Sequence, residues 1–241
     1  MVPTYRDEAV VLRTHQLGEA DRIITLLTRQ YGKVRAVARG VRRSSSKFGS
    51  RLEPFNHVDV QLAEGRGSLD VVSQVEAIRP SKLGADYLRF TAAEVLVETA
   101  DRLVAEERSP ARQQFLLLAG ALWALEKQYH PPALIVDSYL LRSLALAGYG
   151  IAVGECSGCG QREVHWFSPR SGGATCTNCK EPGSARLDDD ARRHMGALLA
   201  GDWPTAKATA QPTAKHVDSL VVAYATWHLD RALRSLPFFE R

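Results

Sequence analysis

The sequence lacks the motifs of the common enzyme classes. It contains no G-x-x-x-x-G-K-[ST] phosphate loop, no G-x-G-x-x-G after a strand, no H-E-x-x-H and no G-x-S-x-G. Its seven histidines are scattered, and each is expected to be a surface or core residue. The acidic run at 188–190 has the composition of a Mg²⁺ site, but ahead of an alanine-rich segment it is better interpreted as a helix N-cap. No enzymatic activity is expected.

Long apolar segments are also missing. No run approaches the roughly 18 apolar residues that a membrane helix needs. The first residues, MVPTYRDEAVVLRT, lack the basic and then apolar plan of a signal peptide. The expected location is the cytoplasm, with no membrane partner.

A chain of 241 residues, 45% hydrophobic and 24% charged, is typical of a folded protein with two or three packed units.

Acidic residues are absent from one stretch of the amino-terminal third. Positions 29–51 hold eight Lys or Arg and no Asp or Glu, and residues 1–80 carry the whole net charge of +4. A polyanion such as a nucleic acid is the expected partner. The candidate DNA-binding residues are Lys33, Arg35, Arg39, Arg42, Arg43, Lys47 and Arg51.

Hydrophobic periodicity changes near position 80. Before it, short alternating or β-branched segments predict five strands, at 9–12, 22–28, 33–39, 57–63 and 68–78. A long Ser/Gly-rich connection, 42–54, follows the third strand, as in a small OB-type barrel. After it, helical periodicity predicts helices at 86–107, 111–129, 131–150, 188–200 and 213–236.

The predicted fold class is therefore α+β, with an N-terminal five-stranded OB-type β-barrel followed by an α-helical domain that carries an inserted four-cysteine zinc module. The expected domains are an OB-fold DNA-binding domain at 1–80, a helical domain at 81–155 and 180–241, and the zinc module at 156–179.

The third predicted strand, KVRAVAR at 33–39, concentrates positive charge on one face. Because side chains alternate along a strand, the exposed face is expected to hold Lys33, Arg35, Val37 and Arg39, and the residues between them face the barrel interior. A groove that tracks a nucleic-acid backbone explains this stripe, and so does a solvated strand face. The four cations of the adjoining connection favour a bound anion. For base stacking, Phe48 is the best candidate among few aromatics, so sequence-specific recognition is not expected.

Four cysteines form two C-x-x-C pairs, Cys156/Cys159 and Cys176/Cys179, separated by sixteen residues. This spacing is typical of a tetrahedral site for one structural Zn²⁺ ion per chain. Four thiolates leave no position for a catalytic water, which argues against a zinc hydrolase. A redox pair and cysteines without a metal are the alternatives. The module's neighbouring polar residues leave direct DNA contact open; they are Arg162, His165, Trp166, Arg170 and Lys180.

A series of short motifs in a fixed order resembles the bacterial RecO family of recombination mediators. The motifs are G-E-x-D-R at 18–22, T-x-x-x-G-K at 28–33, A-x-G-x-R-R-x-x-S at 38–46 and L-x-P-F at 52–55. The resemblance extends over the helical part to Gly148-Tyr149-Gly150 and to both cysteine pairs. It therefore covers the whole chain.

The resemblance implies a function that composition cannot supply. Proteins of this family bind single- and double-stranded DNA, anneal complementary strands and help to load RecA onto single strands covered by single-strand-binding protein. The implied partners are RecR and the C-terminal tail of single-strand-binding protein, with RecF as a further candidate, in the cytoplasm at the nucleoid. DNA binding is carried over to Lys33, Arg35, Arg39, Arg42 and Arg43. The alternative is a zinc-containing OB-fold transcription or translation factor that binds RNA.

Overall fold

The amino-terminal strands close into a barrel. The computed structural model describes residues 3–46, 48–65 and 67–240, and the barrel strands within them are β1 (Thr4–Leu17), β2 (Asp21–Thr28), β3 (Gly32–Ala38), β4 (His57–Ala63) and β5 (Asp70–Arg79). Their order around the barrel is β1-β2-β3-β5-β4, and β4 pairs back onto β1. Neighbours are antiparallel except β3 and β5. The OB-type barrel and the α+β class are confirmed.

The barrel interior is filled by alternate apolar side chains of the strands. Ile24 and Leu26 on β2 face Ala36 and Val34 on β3, and all four are at most 1% exposed. The connection between β3 and β4 adds three further buried residues, Val41, Phe48 and Leu52, the last from a short 3₁₀ helix at Gly49–Leu52. Full burial of such side chains stabilises a fold by about 1.5–3 kcal/mol each. The long connection is thus anchored in the core.

Two helices pack against the barrel, α1 (Tyr87–Leu103) and α2 (Arg112–Glu126). Asp86 caps α1, because its carboxylate accepts a hydrogen bond from the backbone N–H of Arg89 at 2.9 Å. Between the helices, the chain runs along the edge of β3, where the N–H of Arg108 donates to the carbonyl of Lys33 at 2.9 Å. Barrel and helices form one compact unit, residues 1–127, and residues 128–241 form a second.

The second unit combines helices with a small sheet. Its helices among the described residues are α3 (Pro132–Leu146), α4 (Asp189–Ala200), α5 (Trp203–Ala208) and α6 (Gln211–His228). The sheet strands are β6 (Trp166–Ser168), β7 (Gly173–Thr175) and β8 (Ala185–Arg186), in the order β7-β6-β8. The acidic run caps α4 as predicted, since Asp188 accepts from the N–H of Ala191 at 2.8 Å.

Several helix boundaries differ from the sequence prediction, since α1, α2 and α3 end three or four residues before the predicted 107, 129 and 150. α5, six residues long, was not predicted, because a helix this short shows no periodicity. α6 ends at His228 instead of 236, and Asp230 beyond it adopts the left-handed conformation with φ +57°. None of the helices in the described part of the chain has the length and apolar character needed to cross a membrane.

Candidate nucleic-acid interface and metal centre

Two arginines, Arg13 and Arg35, lie in the same cross-strand row on the outer face of β1, β2 and β3. Arg13 on β1 lies opposite Thr25 on β2, and Thr25 lies opposite Arg35 on β3. Regular alternation would place Arg13 on the same inner side as Val11, but the register shifts between these two residues and turns Arg13 outward. Arg13 was not among the candidate residues because the first strand was predicted to end at residue 12, whereas β1 continues to Leu17. The next outer row holds His15, Ile23 and Val37.

Lys33 does not have the exposure that the alternation predicts. The intervening residues do face the core, but the Lys33 side chain is only 10% exposed because α1 covers this end of the strand. Its Nζ donates to the backbone oxygen of Asp101 at 2.8 Å and to Oδ1 of the same residue at 3.2 Å. Asp101 Oδ2 also lies 3.1 Å from Nε of Arg13. Lys33 thus ties α1 to the barrel, and its partner is 68 residues away, beyond the reach of any local pattern.

The other candidate arginines stay at the surface. Arg39, Arg42, Arg43 and Arg51 are all exposed. The Arg42 guanidinium donates to the carbonyl of Glu19 in the β1–β2 turn at 3.0 Å, and Arg51 Nη1 donates to the carbonyl of Phe48 at 3.3 Å. Among the described residues, Arg39 and Arg43 make no ion pair. Lys47 lies outside the described residues.

Two acidic side chains near the connection between β3 and β4, those of Asp21 and Glu53, bind other groups. Asp21 Oδ1 accepts a hydrogen bond from the backbone N–H of Gly40 at 2.7 Å. Glu53 Oε1 lies 2.7 Å from Nη1 of Arg22. Neither carboxylate forms an ion pair with Arg39 or Arg43, and these two cations attract anions.

Phe48 does not serve as a stacking platform, and this expectation is wrong. Its ring is only 2% exposed and packs in the barrel core with Val41 and Leu52. Between these anchors the chain forms turns, with the N–H of Ser46 donating to the carbonyl of Arg43 at 2.9 Å. A loop held in this way loses less conformational entropy when it binds a ligand. The basic connection is therefore fixed at several points.

The four cysteines converge on a single centre. Their Sγ atoms all lie within 4.8 Å of one another, and those of Cys159 and Cys176 are 3.8 Å apart. With Zn–S bonds of about 2.3 Å, two sulfurs of a tetrahedral site are separated by about 3.8 Å. Cys156 and Cys176 are buried, Cys159 is exposed and Cys179 is half-buried. The cluster has the ligand type and size to hold a metal ion.

The pKa values of the cysteine thiols in this cluster favour a bound cation. Burial raises the pKa of Cys156, but backbone N–H donors, first that of Cys176, lower it more, to about 6. Hydrogen bonds to the other thiols, with Cys159 first, raise the pKa of Cys179 to about 12. Without a cation, the four thiols therefore do not ionise together, because closely spaced thiolates repel one another. A divalent metal offsets this repulsion and allows all four to ionise.

The polar residues beside the cysteines are partly engaged with one another. Lys180 Nζ lies 3.3 Å from the centroid of the Trp166 ring, and the guanidinium of Arg186 lies 5.4 Å from it. His165 Nε2 is 3.3 Å from Glu163 Oε1. These contacts stabilise the small sheet around the cysteines.

Comparison with known proteins identifies the family. The family model described as "Recombination protein O N terminal" matches residues 1–101, and "Recombination protein O C terminal" matches residues 84–237. The chain belongs to the RecO family. Proteins named DNA repair protein RecO are 56% identical in a Nocardioides species, over 98% of this chain and 99% of that protein, and 51% identical in Cutibacterium acnes, over the full length of both. The protein of this name from Streptomyces coelicolor is 50% identical, over 98% and 99%.

Membership of the RecO family makes this chain a DNA repair protein and implies a role in recombination. The resemblance that the short motifs indicated is thereby confirmed. Because these RecO relatives match it from end to end, the barrel, the helices and the four-cysteine sheet fall within the shared length. The family favours the DNA-repair interpretation over an RNA-binding factor.

Proposed function

We propose that this chain binds single- and double-stranded DNA through the outer face of β1–β3 and the connection 39–56. There it anneals complementary strands and helps to load RecA onto single strands covered by single-strand-binding protein. The observation that carries the proposal is the group of exposed arginines without an acidic partner, Arg39 and Arg43, beside Arg35 and Arg42. Guanidinium groups bind phosphate oxygens in bidentate geometry, and these four lie on or beside one side of β3.

Phosphate contacts explain how such a surface promotes annealing. Two single strands repel each other through their backbones, and a protein that neutralises phosphates on both reduces this repulsion. Because backbone contacts carry no sequence information, binding is promiscuous and falls as salt rises. The burial of Phe48 in the core supports the same interpretation, since it removes the main aromatic candidate for base contacts. No step of this function requires catalysis or ATP.

The proposed DNA-binding residues fall into two groups: side chains at the surface that contact DNA directly, and a buried side chain that supports the site. Direct contacts are Arg35, Arg39, Arg42, Arg43 and Arg51, with Lys47 in the same connection. Arg13 joins the row of Arg35, although Asp101 holds part of its charge. Lys33 supports the site by fixing α1.

We further propose that the cysteine cluster holds one structural Zn²⁺ ion. A Zn²⁺ ion with four sulfur ligands has no open position, so its contribution is to hold the loops 156–160 and 176–180 together. The 3.8 Å between the Cys159 and Cys176 sulfurs fits a shared ion. This distance is much longer than a disulfide bond of about 2.05 Å.

Partners are proposed from the family alone. RecR, the C-terminal tail of single-strand-binding protein and RecF follow from the resemblance, as does a cytoplasmic location at the nucleoid.

A strand-annealing assay tests the proposed function. Two complementary oligonucleotides, one with a donor and one with an acceptor fluorophore, are mixed with the wild-type protein in the absence of ATP. We expect faster annealing at about 50 mM salt, a loss of the effect by about 200 mM, and annealing that persists when the strands carry single-strand-binding protein. An effect that depends on ATP, or that is confined to RNA strands, would contradict the proposal.

A further inference from the structure

An acidic side chain faces the proposed DNA surface. Glu107 Oε1 lies 3.5 Å from Nη1 of Arg35, and the two side chains are 35% and 37% exposed. This pair is long and partly hydrated, and ion pairs of this kind contribute about 0.2–1 kcal/mol. A phosphate oxygen near Arg35 would compete with the carboxylate for the same guanidinium.

The position of Glu107 is fixed by its backbone. Glu107 forms a parallel bridge with Lys33, and the next residue, Arg108, donates its N–H to the Lys33 carbonyl at 2.9 Å. Gly32 permits this approach, because a side chain there would place its Cβ 1.8 Å from the carbonyl oxygen of Ser109. The segment 104–109 is therefore held along the edge of β3 and forms a border of the outer face.

The neighbouring carboxylate of Asp101 behaves differently. It is only 16% exposed and binds both Lys33 and Arg13, so its displacement would leave Lys33 buried without a partner. Glu107 has a single ion-pair partner among the described residues and lies at the surface. Of these two carboxylates, only Glu107 can yield to a ligand at low cost.

We infer that the segment 104–109 is a border of the DNA-binding surface, and that Glu107 occupies the phosphate position of Arg35 in the free protein. The inference rests on the proposed DNA-binding function. DNA displaces the carboxylate, and Arg35 changes partner from Glu107 to a backbone phosphate. Glu107 thereby lowers the affinity for DNA and favours release of the strands after they have paired.

The substitution Glu107→Gln tests this exchange, with Glu106→Gln as its matched control. Glu106 is the exposed neighbour and makes no ion pair with the described residues, so both variants remove one negative charge from the same segment. For a labelled single strand, Glu107→Gln is expected to raise affinity about 2–5-fold at about 50 mM salt. The slope of log K against log salt should become steeper by about 0.7. Glu106→Gln should change affinity less than about twofold.

A second comparison uses Arg35→Gln in both backgrounds. The loss of affinity on Arg35→Gln should be larger in the Glu107→Gln protein than in the wild type, because the competitor is then absent. If Glu107→Gln and Glu106→Gln raised the affinity for DNA equally, the cause would be the change in long-range charge, and the inference would be wrong. An unchanged affinity on Glu107→Gln would do the same. If substitution of Arg39, Arg42 and Arg43 also left binding unchanged, the proposed function itself would fail.

Discussion

Replacing Arg39, Arg42 and Arg43 by glutamate is expected to lower the affinity for single-stranded DNA about 10²–10³-fold at about 50 mM salt. Each arginine contributes a phosphate contact, and each glutamate adds repulsion. The slope of log K against log salt should become shallower by about 2, since about 0.7 is lost for each contact with a single strand. Fluorescence anisotropy across a salt series measures both quantities, with a duplex of the same sequence as a second ligand.

A control variant with the same change in net charge distinguishes the loss of phosphate contacts at the proposed site from a general effect of the lower net charge. The exposed cations Lys82, Arg112 and Lys215 lie outside the connection 39–56, and their joint replacement by glutamate changes the net charge equally. This control should retain binding within about fivefold, because it lowers the net charge without removing a proposed phosphate contact. Equal losses in both variants would mean that the connection is not the binding site.

Lys33→Met is expected to lower stability and to leave DNA binding largely intact, unlike the substitutions of the exposed arginines. Because Lys33 on β3 binds Asp101 of α1 and so ties the helix to the barrel, the substitution is expected to lower the free energy of unfolding by about 2 kcal/mol. The folded variant should bind DNA nearly as well as the wild type. Urea denaturation and anisotropy below the unfolding transition measure the two effects. A large loss of binding with unchanged stability would place Lys33 among the direct contacts.

Removal of the metal is expected to have the largest effect on stability. Cys176→Ser should abolish stoichiometric zinc binding and lower the free energy of unfolding by about 3 kcal/mol or more, because it removes a buried thiol from the proposed ligand set. Mass spectrometry of the metal content and a thermal melt of the full chain measure both. A chelator should lower the melting temperature of the wild type in the same direction.

Ser157→Ala is the matched control for the cysteine variant. Ser157 stands between two candidate ligands but contributes no thiol, so its replacement should leave the metal content and the melting temperature nearly unchanged. Stability that does not respond to loss of the metal would contradict the structural role. A loss of DNA binding in Cys176→Ser at a temperature where the barrel remains folded would indicate that the zinc module contacts DNA.

The barrel was predictable because its strands follow a simple rule. One apolar face per strand gives a period of two, and each of the five predicted segments overlaps one of the strands β1–β5, although the predicted 9–12 covers only part of β1. The exceptions have local physical causes. The register shift in β1 reverses the face of Arg13, and α1 buries the end of β3 that carries Lys33. Neither the bulge nor the helix that covers the strand is encoded in the pattern of the strand itself.

The candidate site was predictable in composition but not in detail. A run of cations without acids at 29–51 pointed to the connection between β3 and β4, yet the same run gave no indication that Phe48 is a core residue. The carboxylates of Asp101 and Glu107 approach β3 from 68 and 72 residues away, so only the folded chain shows which cations they neutralise. The cysteine cluster was the easiest to predict, because the spacing of C-x-x-C pairs itself reflects the geometry of the ligands.

Amide hydrogen exchange of the wild-type protein, with and without a single strand of about 30 nucleotides, tests most directly where DNA binds. Increased protection is expected in peptides that cover 13–23 and 39–52, with little change in 203–228. Protection confined to residues 128–241, with none in the barrel and its connection, would mean that the basic face of the barrel is not the DNA-binding surface.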